Sequence, residues 1–214
     1  MLILVSKIKK EFKKGGVARL VKTGRDRIFE TNSAWWLFRD LSKPIPDFPM
    51  PIPLGLTVER NDDVIQYMQS KGYVSRPEID VASRMGHWFI GLVVNDEIKG
   101  FCKCGFQEVY VNDFQKTIRL PQNLAFPYEM EIDESVRGKG VGHFFLSAVL
   151  RRFAHVGYDF AVGHIPPWNK ASFAMAERCG FARHSFVRFV KVTGLKFTTR
   201  DVCKLLRSKC ISHP

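Results

Sequence analysis

The sequence predicts an α/β (α+β) domain, and three stretches carry that expectation. Residues 89–94 and 98–104 read as two strands joined by an Asn95-Asp96 turn. Leu124–Ile132 reads as a strand that runs into the glycine-rich turn Arg137-Gly-Lys-Gly-Val-Gly142 and then a helix over 143–156. Residues 158–165 read as a further strand, followed by a helix from the N-cap Asn169 to Cys179. Gly180 then supplies the left-handed position that ends that helix, with Phe181 folding back onto it.

The remaining elements follow from period and composition. In 143–156 the polar residues His143, Ser147, Arg151 and His155 recur every fourth position, which predicts one narrow solvent stripe on an apolar helix. Residues 56–60 read as a strand, 62–71 and 77–85 as helices, and 27–41 as an added strand with a short helix. Trp35 and Trp36 point opposite ways on such a strand, with core packing expected for both. Residues 44–53 hold five prolines and are expected to be extended.

The strand, glycine turn and helix form the segment richest in chemistry. Glycines at 138, 140 and 142 let the backbone turn sharply and approach a ligand. The N–H groups of the helix's first turn then face an anion, and the helix dipole favours negative charge. Gly138-Lys139 is followed by Gly140, so the Ser or Thr of a P-loop is missing. A G-x-G-x-x-G fingerprint starting at Gly138 would need glycine where His143 stands.

Arg137-x-x-Gly140-x-Gly142 resembles the acetyl-CoA signature of the GNAT N-acetyltransferases. Asn169-x-x-Ser172 followed by Cys179-Gly180-Phe181 is similar to the family's closing segment, and residues 93–101 to its β2–β3 turn. The resemblance covers roughly residues 54–192. It implies a mixed, mostly antiparallel central sheet, splayed between the two strands that flank the CoA-binding helix, with helices on both faces. It also implies acetyl-CoA, or another acyl-CoA, as co-substrate. Backbone amides over residues 130–136, including Met130 and Ile132, would hold the pantetheine arm. Arg137, Gly138, Lys139, Gly140, Val141 and Gly142 would take the pyrophosphate, with Asn169 and Ser172 beside them.

Length and charge set the boundaries. The chain has 214 residues and 45% hydrophobic content, enough for one sizeable core. Net charge is +12, yet nine Lys/Arg against two Asp/Glu lie in residues 1–27, and seven against one in residues 188–214. The remainder is close to neutral, which argues against a nucleic-acid partner. The expected organisation is a basic arm and Pro-rich extension over 1–53, an acyltransferase domain over 54–192, and a basic, helical tail over 193–214 packed on the domain or trailing it. Residues 7–14 alternate apolar and cationic side chains. The arm reads as a solvated segment, with weak contact to an anionic membrane as the sharper alternative.

No run is long enough to span a bilayer, and no secretory signal is evident. Five cysteines, an odd number, fit reduced thiols in a cytoplasmic protein. Cys102 and Cys104 share one strand face without a second pair of ligands, so no metal site is expected.

The function implied first is transfer of acetyl from acetyl-CoA to the primary amine of a small metabolite or amino sugar, by direct attack. Transfer of a longer acyl group from acyl-CoA or acyl carrier protein near a membrane is a second reading, and a silent CoA-binding regulator a third. Alternation puts Glu129, Glu131 and Asp133 on one strand face and Tyr128, Met130 and Ile132 on the other. Clustered carboxylates raise one another's pKa and attract a cationic amine. The resemblance implies a Glu base on this strand, so Glu129 or Glu131 is the candidate base, with ion pairs to Arg or Lys of neighbouring strands as the alternative. Where many family members carry an acidic Tyr this chain has Ala176; Tyr110, Tyr128, Tyr158, Ser172 and His164 are the possible substitutes. The acceptor site is expected among residues 61–85, the long loop 107–123, and residues 183–192.

Overall fold

The computed structural model describes residues 29–48, 54–57, 62–138, 140–192 and 195–211. The basic segment 7–14 and Lys139 lie outside the described residues. Ten strands and five helices are described: β1 (Phe29–Asp40), β2 (Leu54–Thr57), α1 (Asp62–Ser70), α2 (Arg76–Arg84), β3 (Trp88–Val94), β4 (Glu97–Gly105), β5 (Glu108–Val111), β6 (Lys116–Arg119), β7 (Leu124–Ile132), α3 (Val141–His155), β8 (Phe160–Ile165), α4 (Lys170–Arg178), β9 (Ala182–Val192), β10 (Leu195–Thr198) and α5 (Val202–Ile211).

Eight strands form one sheet in the order β10-β9-β1-β8-β7-β4-β3-β2. Every ladder is antiparallel except β7–β8, which is parallel. That ladder pairs Leu124 with Phe160 and Ala125 with Ala161, while both strands continue beyond it. The two strands therefore part, and the sheet splays at its centre. Asn95 and Asp96 close the β3–β4 hairpin with φ of 49° and 62°, both left-handed, as a tight hairpin turn requires.

The core divides by sheet face. Cys102 and Cys104 of β4 join Phe145, Val149, Phe153, Phe173 and Phe181 around α3 and α4. On the opposite face Phe89 and Phe101 pack against Val64, Met68 and Ile79 of α1 and α2. A third cluster, with Trp36, Phe114, Phe126 and Phe189, lies under the β5–β6 hairpin and α5. Cys102 and Cys104 are buried with sulfurs 3.7 Å apart.

Four expectations are revised. Residues 29–40 form one uninterrupted strand, without the short helix expected there, and that strand sits between β8 and β9. The sheet thus includes chain from the segment 1–53 that the sequence set apart from the domain. Residues 107–123 are not a long loop: they contain the β5–β6 hairpin, whose apolar Val109, Val111 and Ile118 are buried. Ser147 is not on a solvent stripe; it is fully buried, and its hydroxyl donates to the Cys179 sulfur at 3.6 Å because α4 packs over that face. Finally, Tyr128 does not share the face of Met130 and Ile132. The β4–β7 register shifts between Lys103 and Cys104, leaving Tyr128 as an extra residue on β7.

The C-terminal tail contains β10 and α5, and α5 buries Val202 and Leu206 in the third cluster. Within the proline-rich stretch, residues 44–48 carry no helix or strand. They run over α3: Phe48 lies 5.3 Å from the His143 ring, and Arg151 donates to the Pro46 carbonyl at 3.4 Å. Gly180 fits its place for two reasons. Its φ is +85°, and a Cβ there would sit 2.9 Å from Nε of Arg39, which is buried and held by the carbonyls of Asp40, Lys43 and Pro44.

Candidate active site

Where β7 and β8 part, a cleft of about 400 Å³ opens. Its β7 wall is formed by residues 127–131 and its β8 side by Gly163, His164 and Ile165, with Asn169, Ser172, Met175 and Ala176 beside them. The ladder to β8 ends at Ala125, so the β8-facing edge of β7 beyond it has no strand partner. A linear ligand with amide groups can hydrogen-bond to such an edge as an added strand would.

The glycine turn lies just past this edge. Gly138 and Gly140 have φ of +83° and +80°, a region that favours glycine, and among the described residues, chain neighbours aside, no atom stands within 4 Å of where their Cβ would be. Gly140 is the N-cap of α3 and offers no side-chain acceptor. The N–H groups of His143 and Phe144 close onto its carbonyl, which leaves those of Val141 and Gly142 ahead of the first helical hydrogen bonds. The Val141 side chain is buried in the core, so this residue can meet a ligand through its backbone. At Gly142 a Cβ would stand 3.0 Å from the Met175 sulfur, so α3 and α4 meet closely here. Arg137 braces the turn: its Nε donates to the Ile132 carbonyl at 2.6 Å, and it pairs with Glu131 at 3.4 Å and Glu134 at 3.7 Å.

Met130 and Ile132 pack against the α3–α4 core, and Met130 also lines the cleft. Asn169 and Ser172 line it too, although the Asn169 side chain is engaged as the cap of α4, accepting from the Ser172 N–H at 3.1 Å.

A second cavity of about 430 Å³ lies between α2 and the β4–β5 region. Val81, Ala82, Met85 and Phe89 give it apolar walls, and Lys103, Glu78, His87 and Tyr110 give it polar groups. Tyr128 and Glu129 line both cavities, so the bulge in β7 places one phenol and one carboxylate on their common wall. Glu129 is not a free carboxylate: its Oε2 accepts from Lys103 Nζ at 2.8 Å. Both candidate bases therefore belong to ion pairs, Glu129 with Lys103 and Glu131 with Arg137. Asp133 pairs with Lys71 at 3.6 Å and also caps the short turn at Ser135, accepting from its N–H at 3.0 Å.

His87 fixes the Tyr128 hydroxyl. Its Nε2 lies 2.7 Å from the Glu108 carbonyl, which can only accept, so Nε2 carries a proton. Burial lowers the His87 pKa below its ordinary 6.5, so the ring is neutral at pH 7 and Nδ1 accepts from Tyr128 at 3.1 Å. Burial also raises the Tyr128 pKa, keeping it a phenol. Because folding depresses the His87 pKa, the unfolded chain binds more protons below about pH 6.5, and the contribution of the neutral ring fades as pH falls through that value. Urea unfolding should therefore show a smaller loss of stability between about pH 7.5 and 5.5 in His87→Gln than in the parent protein. Equal losses would rule this out.

A family model described as acetyltransferase (GNAT) family matches residues 56–181. The chain belongs to that family. Mycothiol acetyltransferases of Salinispora tropica and Salinispora arenicola are each 27% identical to it over 164 residues, 71% of this chain and 52% of theirs. The chain thus spans about half the length of the curated relatives it matches. A GCN5-related N-acetyltransferase from Sphaerobacter thermophilus has a similar fold, with TM-score 0.56 and 13% identity over 84% of this chain and 57% of that one. A GNAT-family acetyltransferase structure from Novosphingobium aromaticivorans superposes with TM-score 0.50 and 17% identity, over 77% and 67% of the two chains.

Within this GNAT domain, Ala176 is buried and lines the cleft, so no hydroxyl is offered at that position. Of the five substitutes for the acid, Tyr128, Ser172 and His164 line the cleft. Tyr158 stacks on Phe106 at 4.9 Å inside the core, and Tyr110 lines the second cavity. His164 is more than a strand-end residue: its Nε2 lies 3.3 Å from Oδ2 of Asp113, and its ring packs on Trp36 and Phe126. That contact lowers the Asp113 pKa. Neither cavity is lined by residues 183–192, expected to contribute to the acceptor site. Sequence reasoning missed Lys103 and His87; the one signal was a charge inside the apolar run Phe101-Cys102-Lys103-Cys104. Among the described residues no cluster of three or more His, Cys, Asp and Glu could hold a metal, and no helix is long and apolar enough to cross a membrane.

Proposed function

We propose that this domain transfers acetyl from acetyl-CoA to a primary amine, with the donor in the β7–β8 cleft and the acceptor in the second cavity. The observation that carries the reading is the shared wall: Glu129 and Tyr128 face both spaces. The curated relatives are acetyltransferases, which supports acetyl as the group transferred. The turn 137–142 would receive the pyrophosphate on backbone N–H groups, with Lys139 as a further cation beside it. The open edge of β7 at Met130–Ile132 would hold the pantetheine amides, next to Asn169 and Ser172.

The acceptor nitrogen attacks the thioester carbonyl, a C–N bond forms, and the C–S bond breaks. Glu129 takes the proton lost by the amine, directly or through one water. The departing sulfur can leave as thiolate, since a free thiol has pKa about 8.5, and then takes a proton from solvent or His164. Tyr128, locked as donor to His87, fixes the bulge that presents Glu129.

Thermal shift with acetyl-CoA tests the donor site. At a hundredfold excess over Kd a ligand adds about 2.7 kcal/mol, roughly 5–10 °C for a chain of this size. No shift with acetyl-CoA, a longer acyl-CoA or CoA would exclude the site. A shift without release of CoA thiol on any amine would instead favour a binding regulator, the reading that Ala176 supports.

A further inference from the structure

The second cavity contains a charge that amine acetylation alone does not require. Lys103 is 6% exposed, on a strand whose neighbouring Phe101, Cys102 and Cys104 are all buried. Its ammonium has three N–H donors. One goes to Glu129 at 2.8 Å and one, at 3.5 Å, to the Tyr73 carbonyl. The third has no acceptor among the described residues. Lys103 lines the cavity together with apolar Val74, Pro77 and Ala82, and its ammonium lies 5.8 Å from the Phe101 ring.

The reaction makes this arrangement unstable by itself. When Glu129 takes the amine's proton it becomes neutral, and Lys103 remains as a buried cation without its counter-charge. The Lys103 side chain is 8% exposed against 36% for Glu129, so the cost of losing the counter-charge falls on the buried cation. The other carboxylate of this cavity, Glu78, acts on Lys103 only through space: its Oε2 is committed to Ser75, whose hydroxyl and N–H donate to it at 2.6 and 2.7 Å, and it makes no hydrogen bond to the ammonium.

From this we infer that the acceptor carries its own anionic group, a carboxylate or a phosphate, a few bonds from the reacting nitrogen. The anion receives the free N–H of Lys103 while the nitrogen lies against Glu129. Before transfer the four charges alternate in sign: lysine ammonium, glutamate, substrate ammonium, substrate anion. The ammonium gives one proton to Glu129 to become the attacking amine, and after attack the nitrogen's second proton passes through solvent to the departing thiolate. The substrate anion meanwhile remains as the partner of Lys103, so the cation is neutralised throughout. Polyamines and plain amino sugars bring only cations to this wall and offer Lys103 no such partner. The inference rests on the proposed function, because it needs Glu129 to accept the proton and the second cavity to hold the acceptor.

The test measures thiol release from acetyl-CoA with matched acceptors: the common α-amino acids against their amides, and O-phosphoethanolamine against ethanolamine. At least one anionic member should exceed its neutral counterpart by about tenfold or more in kcat/KM, because the neutral analogue leaves a buried donor unpaired. The amino-acid arm identifies a carboxylate and the phosphoethanolamine arm a phosphate. In Lys103→Met the ratio within the preferred pair should fall towards one. The comparison in the parent protein stands alone if that variant does not fold. Neutral members served equally well or better, or no anionic member accepted, would overturn the inference while a thermal shift with acetyl-CoA left the donor reading intact. Absence of that shift would overturn both.

Discussion

Glu129→Gln is expected to lower kcat by about 10²–10⁴-fold, the range that a positioned general base supplies. The amide keeps the shape of the carboxylate, so the thermal shift produced by acetyl-CoA should stay as in the parent protein. Glu129 has a second task, because it is the counter-charge of a lysine that is almost fully buried. The variant should therefore also lose about 1–3 kcal/mol of stability, as expected when a buried polar partner is removed. The two effects separate in the double variant Lys103→Met/Glu129→Gln. Removing both charges should restore most of the stability and none of the turnover. Glu131→Gln should reduce turnover less, because Glu131 lines the cleft but not the acceptor cavity and pairs with exposed Arg137. A Glu129→Gln enzyme that kept turnover within about threefold of the parent across roughly pH 6–9 would remove Glu129 from the chemistry.

What the sequence made legible was local. Gly138, Gly140 and Gly180 were readable because each stands at a positive φ that other residues rarely adopt, so conformation leaves a mark on residue type. The Asn169 cap and the turn at Asn95-Asp96 are short-range patterns of the same sort. The hidden features depend on partners far along the chain. Glu129 and Lys103 face each other only through the β4–β7 register, and the bulge at Tyr128 is set by that register rather than by any residue signal. Residues 107–123 looked like a loop because their strands are four residues each, too short for alternation to stand out. Ser147 satisfied a four-residue polar period, yet what covers that face of α3 is Cys179, the residue that ends α4, which the period cannot see. The splay itself was implied by family resemblance, while its physical signature, a parallel ladder ending at Ala125, needed the fold.

The strand β1 gives the second large effect, Trp36→Ala, which is expected to reduce unfolding free energy by about 3–5 kcal/mol. Trp36 is completely buried, and its ring lies 6.1 Å from Phe114, 5.7 Å from Phe126 and 5.6 Å from His164. Those three residues belong to the hairpin turn, β7 and β8, so one side chain ties the inserted strand to both sides of the splay. A domain of ordinary stability has about 5–15 kcal/mol in total, so the variant should sit near its unfolding threshold. Trp36→Phe isolates the cause. The indole Nε1 is buried without a hydrogen-bond partner among the described residues, so replacing the ring by phenyl sacrifices contact area but no hydrogen bond. The phenylalanine variant should therefore lose less than half as much as the alanine variant in urea unfolding. Its cleft should still give the acetyl-CoA thermal shift, since Trp36 does not line that cleft. If Trp36→Ala unfolded at the parent's urea midpoint, β1 would be a dispensable addition and the domain would begin near residue 54. The alternative follows from the sheet order: with β1 between β8 and β9, the chain before residue 54 supplies part of the wall on which the active site is built.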